Sequence, residues 1–377
     1  MKRHIEAHMQ FIDLKTQYKR IQAGVEKGLK AVLEHGQYVM GPEIDALEKQ
    51  LAEWVGAKHA IAVASGTDAL LLALLALDIR PGDEVITVPF SMFATVEPIV
   101  LLGATPIFVD IDLKTFNMDP AKLEKAITSK TKAIMPVSLY GQCVDFDAIN
   151  AIANKYNLPV IEDAAQSFGA RYKKGASCGL TTLACTSFYP AKPLGGYGDS
   201  GACFTNDAAL AQKIKSLQNH GQDRRYHHTL IGVNGRMDSF QAVVLLEKLT
   251  LFAEELQRRR EIAAYYDEGL ASCREFFTTP YVESYNSSTY AQYTLTLTSP
   301  EIREKLQGAL QAKNIPTMVH YPEPIHHQPA IRDLQLYSSQ SHPCSEEAAK
   351  RVLSLPMHPY LEKEEQTVII EALTSFF

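Results

Sequence analysis

The stretch Thr186-Ser-Phe-Tyr-Pro-Ala-Lys192-Pro-Leu-Gly-Gly-Tyr-Gly-Asp-Ser-Gly201 places one lysine in a glycine-rich turn between two apolar runs. Those runs, Cys185 to Tyr189 and Gly201 to Thr205, predict short strands. Glycines let the backbone approach a bulky ligand closely, and a primary amine held there can form an imine with an aldehyde. On the lysine and the glycines alone, a surface lysine in a flexible loop remains the alternative.

The same rhythm of apolar run, turn and helical stretch extends from about residue 55 to 205. Continuous apolar runs joined by helices are typical of a mostly parallel sheet that is covered on both faces. Helices are expected from Asp68 to Leu77 and from Asp145 to Asn157. Five further strands are expected, at Ala60 to Ala64, Glu84 to Val88, Pro106 to Asp110, Lys132 to Val137 and Pro159 to Asp163.

After Asn206 the pattern changes to long helical stretches and then to a mixed segment. A large α/β domain over residues 11–250 and a smaller C-terminal α+β domain over residues 251–377 are therefore expected. Tyr321 to Pro343 is rich in Pro, His and Gln and is expected to be a loop. The predicted elements are helices at Asp207 to Gln218, Met237 to about Leu270, Glu301 to Asn314 and from Lys363, with strands in Tyr290 to Leu297 and Thr317 to His320.

Composition excludes several classes of protein. The chain has 377 residues, is 46% hydrophobic and carries a formal net charge of -6, which gives no general attraction to nucleic acid. Its longest apolar stretch, Ala69 to Leu77, is too short to span a membrane, and Met1 to Gln10 lacks the apolar segment of a secretory signal. A cytoplasmic protein with six reduced cysteines is expected.

No metal site is expected from the sequence. The cysteines contain no CxxC pair, and the doublets His227-His228 and His326-His327 offer no recognisable four-ligand spacing. The first ten residues are given no function.

A carboxylate follows a buried strand in Ile161-Glu162-Asp163-Ala-Ala-Gln166-Ser-Phe-Gly169, 29 residues before Lys192. A pyridine ring becomes an electron sink when its nitrogen is protonated, and a buried aspartate keeps it so. The alternative for Asp163 is an ordinary cap of the next helix.

A third element is Ala64-Ser65-Gly66-Thr67-Asp68, where a predicted strand stops and an apolar helix begins. The free N–H groups of a helix N-terminus form an anion site suited to a phosphate, and the end of a sheet strand is where open α/β proteins bind ligands. Helix capping alone is the alternative explanation for these residues.

Together and in this order, the three elements resemble the DegT/DnrJ/EryC1/StrS family of sugar aminotransferases, which depend on pyridoxal 5'-phosphate (PLP). The family pattern SF-x-x-x-K-x-x-x-x-G-x-G is present as Ser187-Phe188, Lys192, Gly196 and Gly198, and the resemblance extends from Phe11 almost to the C-terminus. It implies the aspartate-aminotransferase-like fold (PLP fold type I).

The resemblance also implies roles for individual residues. Lys192 would hold PLP as a Schiff base, Asp163 would pair with the pyridinium nitrogen, and Gln166 would hydrogen-bond the cofactor phenolate. Phe93 would stack on the ring, although core packing is the other explanation for this residue. The phosphate would be held by Gly66, Thr67 and Ser187, and by Asn234 from the neighbouring subunit, which implies a homodimer with shared active sites.

Within the family, the chain is most similar to 3-aminotransferases that act on UDP-linked 2-acetamido-3-keto-glucuronic acid in bacterial surface polysaccharide synthesis, including the O-antigen of lipopolysaccharide. Arg224, Arg225, His227 and His228 concentrate positive charge suited to a diphosphate or a uronate carboxylate, with a solvated basic loop as the alternative. His320 and Tyr321 resemble the substrate-contacting pair of that branch, with a core histidine beside a strand-end tyrosine as the structural alternative.

The resemblance implies transfer of an amino group from glutamate to the keto sugar, with PLP alternating with its amine form, pyridoxamine phosphate (PMP). Other acceptors remain open, namely a 4-keto sugar linked to dTDP, GDP or UDP. A PLP-binding regulatory protein without turnover is the remaining alternative. It would need an additional binding segment, for which the chain has no spare residues.

Overall fold

The computed structural model describes residues 9–334 and 341–377. The six helices predicted from the sequence are present in these residues, within about two residues of the predicted bounds. None of the helices in this part of the chain is both long and apolar enough to cross a membrane. The helices are α1 (Leu14–His35), α2 (Pro42–Val55), α3 (Gly66–Ala76), α4 (Glu97–Leu101), α5 (Pro120–Leu123), α6 (Phe146–Lys155), α7 (Ala208–Leu217), α8 (Ser239–Gly269), α9 (Pro300–Ala312), α10 (Pro329–Arg332), α11 (Pro343–Arg351) and α12 (Lys363–Thr374).

The strands are short, and the predicted strands of the first half are all present. Their bounds differ from the sequence prediction by one or two residues in most cases, as is usual for strand ends. They are β1 (His59–Val63), β2 (Glu84–Thr87), β3 (Thr105–Phe108), β4 (Thr131–Ile134), β5 (Ile161–Asp163), β6 (Arg171–Tyr172), β7 (Gly175–Ala176), β8 (Leu183–Ser187), β9 (Gly201–Thr205), β10 (Gln222–Arg224), β11 (His227–His228), β12 (Phe277–Thr278), β13 (Asn286–Ser287), β14 (Tyr293–Leu297) and β15 (Val352–Leu355).

Seven strands form the central sheet in the order β3-β2-β4-β5-β8-β9-β1. Two parallel bridges, Ile134 to Val160 and Val137 to Asp163, join its two halves. All pairs are parallel except those of β9, which runs antiparallel to both β8 and β1. The fold is the mostly parallel α/β sheet expected from the sequence.

The position of β9 brings the ends of two other strands together. Gly201 is the register partner of Val63 at the end of β1 and of Ser187 at the end of β8. A Cβ atom at Gly201 would lie 2.6 Å from the carbonyl carbon and oxygen of Ser65, so only glycine fits there. The turns after β1 and β8 are thus held side by side.

Two separate hydrophobic cores meet along the long helix α8. Phe252 and Leu256 of this helix pack under the central sheet, whereas Ile262 and Tyr266 belong to the core of the C-terminal part. The predicted domain boundary at residue 250 falls inside α8. The division into residues 11–250 and 251–377 therefore stays a prediction.

Some sequence predictions need correction. Thr317 to His320 is not a strand, because only Met318 pairs, through a bridge to Ser354, and the chain then leaves β15. Tyr140 Oη donates a hydrogen bond to the His320 carbonyl oxygen, which takes the place of a sheet partner.

Tyr321 to Pro343 is not wholly a loop, since it contains α10 and a 3-10 turn, Ile325–His327, while residues 335–340 lie outside the described part. The first eight residues, which belong to the segment without an assigned function, lie outside it as well. Helices α1 and α2 were not predicted, and both end at left-handed glycines, Gly36 and Gly56.

Candidate active site

The ends of β1, β5 and β8 lie at one edge of the central sheet, and a predicted site residue lies at or near each end. Gly66 begins the helix after β1, Asp163 ends β5, and Ser187 ends β8. Lys192 lies in the turn between β8 and β9. The sheet topology, which the sequence alone does not give, brings the three motifs together at this edge, which we call the pocket.

The Asp163 carboxylate is buried, with 4% of the residue exposed. Its Oδ2 accepts a hydrogen bond from Thr95 Oγ1 at 2.8 Å, and its Oδ1 accepts one from the Ala165 amide at 3.1 Å. Burial raises the pKa of Asp163, while these two hydrogen bonds and the charge of Lys192 oppose that rise. A buried carboxylate in this state favours a cationic partner.

Thr95 is a residue whose contact the sequence analysis did not foresee. It lies in the short 3-10 helix Phe93–Thr95 and is 1% exposed. Because its hydroxyl donates to Asp163, its oxygen accepts the proton of Ser91 Oγ at 2.8 Å. The segment after β2 therefore orients Asp163. Only the sequence position of Thr95, two residues from Phe93, could have pointed to it.

The Lys192 amine lies near enough to the Asp163 carboxylate for the two charges to interact. Burial lowers the pKa of Lys192, and the Asp163 carboxylate acts in the opposite direction. Since burial has the larger effect, the amine is more readily neutral than a surface lysine. A neutral amine is the nucleophilic form needed to attack an aldehyde.

A small cradle for an anion lies at the N-terminus of α3. Ser65 caps this helix by accepting the Asp68 amide at 3.0 Å, which leaves the first N–H groups of the helix, at Gly66 and Thr67, directed outward. A Cβ at Gly66 would lie 2.6 Å from the Ser187 Cβ. Glycine is thus required for the two segments to approach, and the Ser187 hydroxyl lies beside the helix end.

Gln166 is buried at the other side of Asp163. Its Oε1 accepts the Tyr140 amide at 2.8 Å, which fixes the amide group so that Nε2 donates to Tyr321 Oη at 2.9 Å. Both polar atoms of the Gln166 side chain thus have partners, and its donor is directed at a phenol oxygen. Burial first, and then the charge of Asp163, raises the pKa of Tyr321.

His320 borders this pocket from the C-terminal part of the chain. Its Nδ1 is 3.0 Å from Ser354 Oγ, and Tyr140 Oη donates to its carbonyl oxygen. Burial, together with the positive charge of Lys192, lowers the pKa of His320 to about 4. The imidazole is therefore neutral at physiological pH and can accept or donate a hydrogen bond to a substrate.

Phe93 is half-buried and packs against a small apolar cluster that includes Val96, Phe108 and Ile325. Because it lies two residues before Thr95, it is adjacent to the Asp163 side of the pocket. The packing explanation and the ring-stacking prediction are compatible, since one ring has two faces.

The structure does not bring Asn234 to the interior of the chain. Asn234 is exposed, and its Oδ1 accepts hydrogen bonds from Arg236 Nε at 3.1 Å and Nη2 at 2.8 Å. Arg236 also donates to Asn219 Oδ1 at 2.7 Å. Arg236 therefore acts on the orientation of the asparagine, which is presented at the surface.

The basic residues of the predicted substrate loop form a hairpin of β10 and β11. Arg224, Arg225, His227 and His228 are all exposed, and their side-chain contacts are local. His227 Nδ1 lies 2.7 Å from Asp223 Oδ1, and Arg225 stacks over Tyr226 at 5.0 Å. Among the described residues, none of these four contacts Lys192 or Asp163.

The pocket residues fit PLP. The anion cradle at Gly66 and Ser187 suits the phosphate, the Asp163 carboxylate suits a protonated ring nitrogen, and the Lys192 amine suits the aldehyde. The requirement for glycine at position 66, where a Cβ would meet Ser187, is the structural observation that supports this fit.

Comparison with known proteins gives a consistent result. The model of the DegT/DnrJ/EryC1/StrS aminotransferase family matches residues 19–374. The chain is 54% identical over 367 residues to the UDP-2-acetamido-2-deoxy-3-oxo-D-glucuronate aminotransferase of Pseudomonas aeruginosa, which covers 97% of this chain and 100% of that protein.

Solved structures are similar over almost the whole length. A DegT DnrJ EryC1 StrS aminotransferase from Brucella abortus has a TM-score of 0.92 and 41% identity. The match covers 98% of this chain and 99% of the Brucella chain. The ntda protein of Bacillus subtilis, solved with bound cofactor PMP, has a TM-score of 0.88 and 31% identity. The match covers 97% of this chain and 82% of the ntda chain.

Proposed function

Because this chain belongs to the DegT/DnrJ/EryC1/StrS aminotransferase family, we propose that it aminates C3 of UDP-linked 2-acetamido-3-keto-glucuronic acid, with glutamate as donor. It is a PLP-dependent aminotransferase of fold type I that acts on nucleotide-linked sugars. The observation that carries this function is the convergence of the Lys192 amine and the buried Asp163 carboxylate next to the Gly66 cradle. The proposed acceptor rests on the 54% identity over nearly the full chain.

PLP, when bound, supplies an electron sink that stabilises negative charge on the carbon attached to the reacting nitrogen. Asp163 would hold the ring nitrogen in its protonated form, since a buried carboxylate strongly favours an adjacent cation. Thr95 would orient this carboxylate through its 2.8 Å hydrogen bond. Gln166 would donate Nε2 to the ring oxygen in place of Tyr321 Oη.

Lys192 would move the protons of the reaction. In the first half, its neutral Nζ would move the proton from the α-carbon of glutamate to the cofactor; the amino group would stay on the cofactor as PMP, and water would supply the oxygen of the released 2-oxoglutarate. In the second half, the same nitrogen would move a proton from the cofactor to the sugar carbon that carries the new amine, and the keto oxygen would leave as water. Burial lowers the pKa of Lys192 and so keeps this nitrogen free to accept a proton.

We also propose that the active site is shared by two chains. Asn234 is exposed, yet Arg236, which also donates to Asn219, holds its side chain in one orientation, which suits a contact with the phosphate in a partner chain. Arg224, Arg225, His227 and His228 would likewise reach the diphosphate or the uronate carboxylate in the partner's pocket. His320 and Tyr321 would contact the sugar from the same chain as Lys192.

The proposed cellular setting is the cytoplasm of a bacterium that makes O-antigen or a related surface polysaccharide. UDP-sugars are charged and cannot cross a lipid bilayer without a carrier, so their amination is expected where they are made. Phe93 is proposed to pack on the cofactor ring.

An acceptor panel tests the proposed substrate. Purified holoenzyme with glutamate is given three substrates: the UDP-linked 3-keto uronic acid, the corresponding UDP-linked 3-keto sugar without the carboxylate, and a dTDP-linked 4-keto sugar. Mass spectrometry and NMR identify the amino sugar, and release of 2-oxoglutarate identifies the donor reaction. We expect the 3-keto uronic acid to be aminated with the highest kcat/KM.

Three outcomes would change this assignment in different ways. Amination of the 4-keto sugar without the 3-keto uronic acid would replace the acceptor and leave the aminotransferase activity in place. Equal turnover of the two 3-keto sugars would remove the proposed role of the carboxylate. Glutamine in place of glutamate as the productive donor would change only the first half-reaction.

A further inference from the structure

A cluster of histidines lies on the far side of the apolar residues that pack against Phe93. His326 and His327 end the 3-10 turn Ile325–His327, and Glu346 lies in the first turn of α11. One nitrogen from each ring and one carboxylate oxygen all lie within 4.8 Å of one another. The Glu346 Oε1 is 3.3 Å from His326 Nε2 and 3.9 Å from His327 Nε2.

A third imidazole packs on this group. His342 is 6% exposed, and its ring centroid is 4.8 Å from that of His326. Within the described part of the chain, the buried His342 Nε2 and His326 Nδ1 have no hydrogen-bond partner. Buried polar atoms without partners are rare, because each loses its hydrogen bonds to water.

The ligand types suit a transition metal ion. Imidazole nitrogen and carboxylate oxygen are among the ligands that Zn²⁺ takes in proteins.

The distances also match a small ion. Zn²⁺ binds nitrogen and carboxylate oxygen at about 2.0–2.2 Å, which separates neighbouring ligands in a tetrahedral site by roughly 3.3–3.5 Å. The separations of 3.3 and 3.9 Å between Glu346 and the two imidazoles are close to that range. The same Glu346 Oε1 accepts the His342 amide at 3.0 Å, so a bound ion would share this oxygen with the backbone.

We propose that His326, His327 and Glu346 bind a divalent transition metal ion, with Zn²⁺ as the best match. His342 supplies a further imidazole beside it. This proposal departs from the expectation of no metal site, because the sequence spacing did not show that Glu346, 19 residues after His327, returns to the doublet. The proposal is independent of the substrate assignment.

The bound ion would join two segments next to the cofactor pocket. Ile325, which precedes the doublet, donates its amide hydrogen to the Pro89 carbonyl at 2.7 Å and packs in the same apolar cluster as Phe93. Linking the turn to α11 would hold this contact in place. The expected consequence is a more stable fold, with no change in the chemical step.

Metal binding to the PLP-loaded, chelator-treated protein tests the proposal directly. Zn²⁺ content after dialysis gives the stoichiometry, and titration with Co²⁺, followed by its visible absorption, gives affinity and geometry. We expect one ion per chain in the wild-type protein. His327→Ala and Glu346→Gln should each weaken binding by at least about 10–100-fold, as seen even for outer-sphere changes at metal sites.

His35→Ala is the matched control. His35 forms a pair with Glu43 at 3.0 Å, with 27% and 16% of the two side chains exposed, and no second imidazole joins it among the residues that the structure describes. This variant should bind metal as the wild type does. His4 and His8 are present in every variant, so any binding by these N-terminal histidines does not change the comparison.

Folding is checked separately from binding. The His327 side chain is 47% exposed, so its replacement should leave the unfolding temperature of the metal-free protein unchanged. Zn²⁺ should raise the unfolding temperature of the wild type and of His35→Ala, but not that of His327→Ala. The proposal would be overturned if the wild type retained no more metal than His327→Ala and Glu346→Gln, or if those two variants bound metal with unchanged affinity.

Discussion

The cofactor pocket and the β10–β11 hairpin carry most of the predicted functional residues, and they are built in opposite ways. In the pocket, a hydrogen bond from Thr95 holds Asp163, and one from Tyr140 holds Gln166; the bonded residues are 68 and 26 positions apart in the chain. In the hairpin, the side-chain contacts of the basic residues lie within the hairpin or reach nearby backbone, as from His227 to Asp223.

This difference separates groups that are already oriented within one chain from groups that are not. A site made of buried, mutually oriented groups has its geometry before any ligand arrives, which is the basis of preorganised catalysis. Exposed arginines keep their side-chain entropy until they meet a charged partner. The pocket should therefore determine the rate of the reaction, and the hairpin should determine how well the nucleotide sugar is held.

Among tests of this difference between pocket and hairpin, the largest change in activity is expected for replacement of Lys192. Lys192→Ala removes the amine that is proposed to hold the cofactor and move the proton, so kcat should fall by on the order of 10⁴-fold or more. Steady-state assays measure this loss, and borohydride reduction followed by peptide mapping should label Lys192 in the wild type only. Lys174→Ala, at an exposed lysine, is the control and should keep full activity. Substantial turnover by the Lys192 variant would remove the proposed mechanism.

A smaller effect is expected in the hairpin. Charge-assisted hydrogen bonds contribute about 1.5–3 kcal/mol, so the double change Arg224→Ala and Arg225→Ala should raise KM for the nucleotide sugar by roughly 10–100-fold. The value of kcat and the unfolding temperature should change little, because both side chains are exposed.

A matched double variant, Arg80→Ala with Arg274→Ala, removes two other exposed arginines and should leave KM as it is. If KM of the hairpin variant were unchanged while kcat fell, the proposed division between pocket and hairpin would be wrong.

The smallest effect is expected at Thr95, inside the pocket. Thr95→Val keeps the shape but leaves Asp163 Oδ2 without its 2.8 Å hydrogen bond, which should destabilise the protein by about 1–3 kcal/mol. Because this bond lowers the pKa of Asp163, its loss should raise that pKa. The acidic limb of the kcat/KM profile should therefore move to higher pH.

Thr95→Ser retains the hydroxyl and serves as the rescue. It should restore the wild-type pH profile even if it is slightly less stable. An identical pH profile in the valine variant would show that Thr95 only fills space.

Much of the pocket could be predicted from sequence because its motifs are local. Lys192, Asp163 and Gly66 each lie within a few residues of a strand end, and glycine or a strand-end carboxylate marks such positions. Thr95 was missed because a threonine in a short 3-10 helix has no distinctive neighbours. The supposed strand at Thr317 to His320 was wrong because its apolar residues have a partner only at Met318.

The sequence by itself determined the alternation of strands and helices, the reactive lysine and the strand-end aspartate, since these depend on periodicity and on residues close in the chain. Only the tertiary structure decided that β9 runs antiparallel and brings Gly66 to Ser187, that Thr95 orients Asp163, and that Glu346 faces the His326-His327 doublet. These contacts join segments distant in sequence, and their geometry is fixed by sheet register and core packing, which no local pattern encodes.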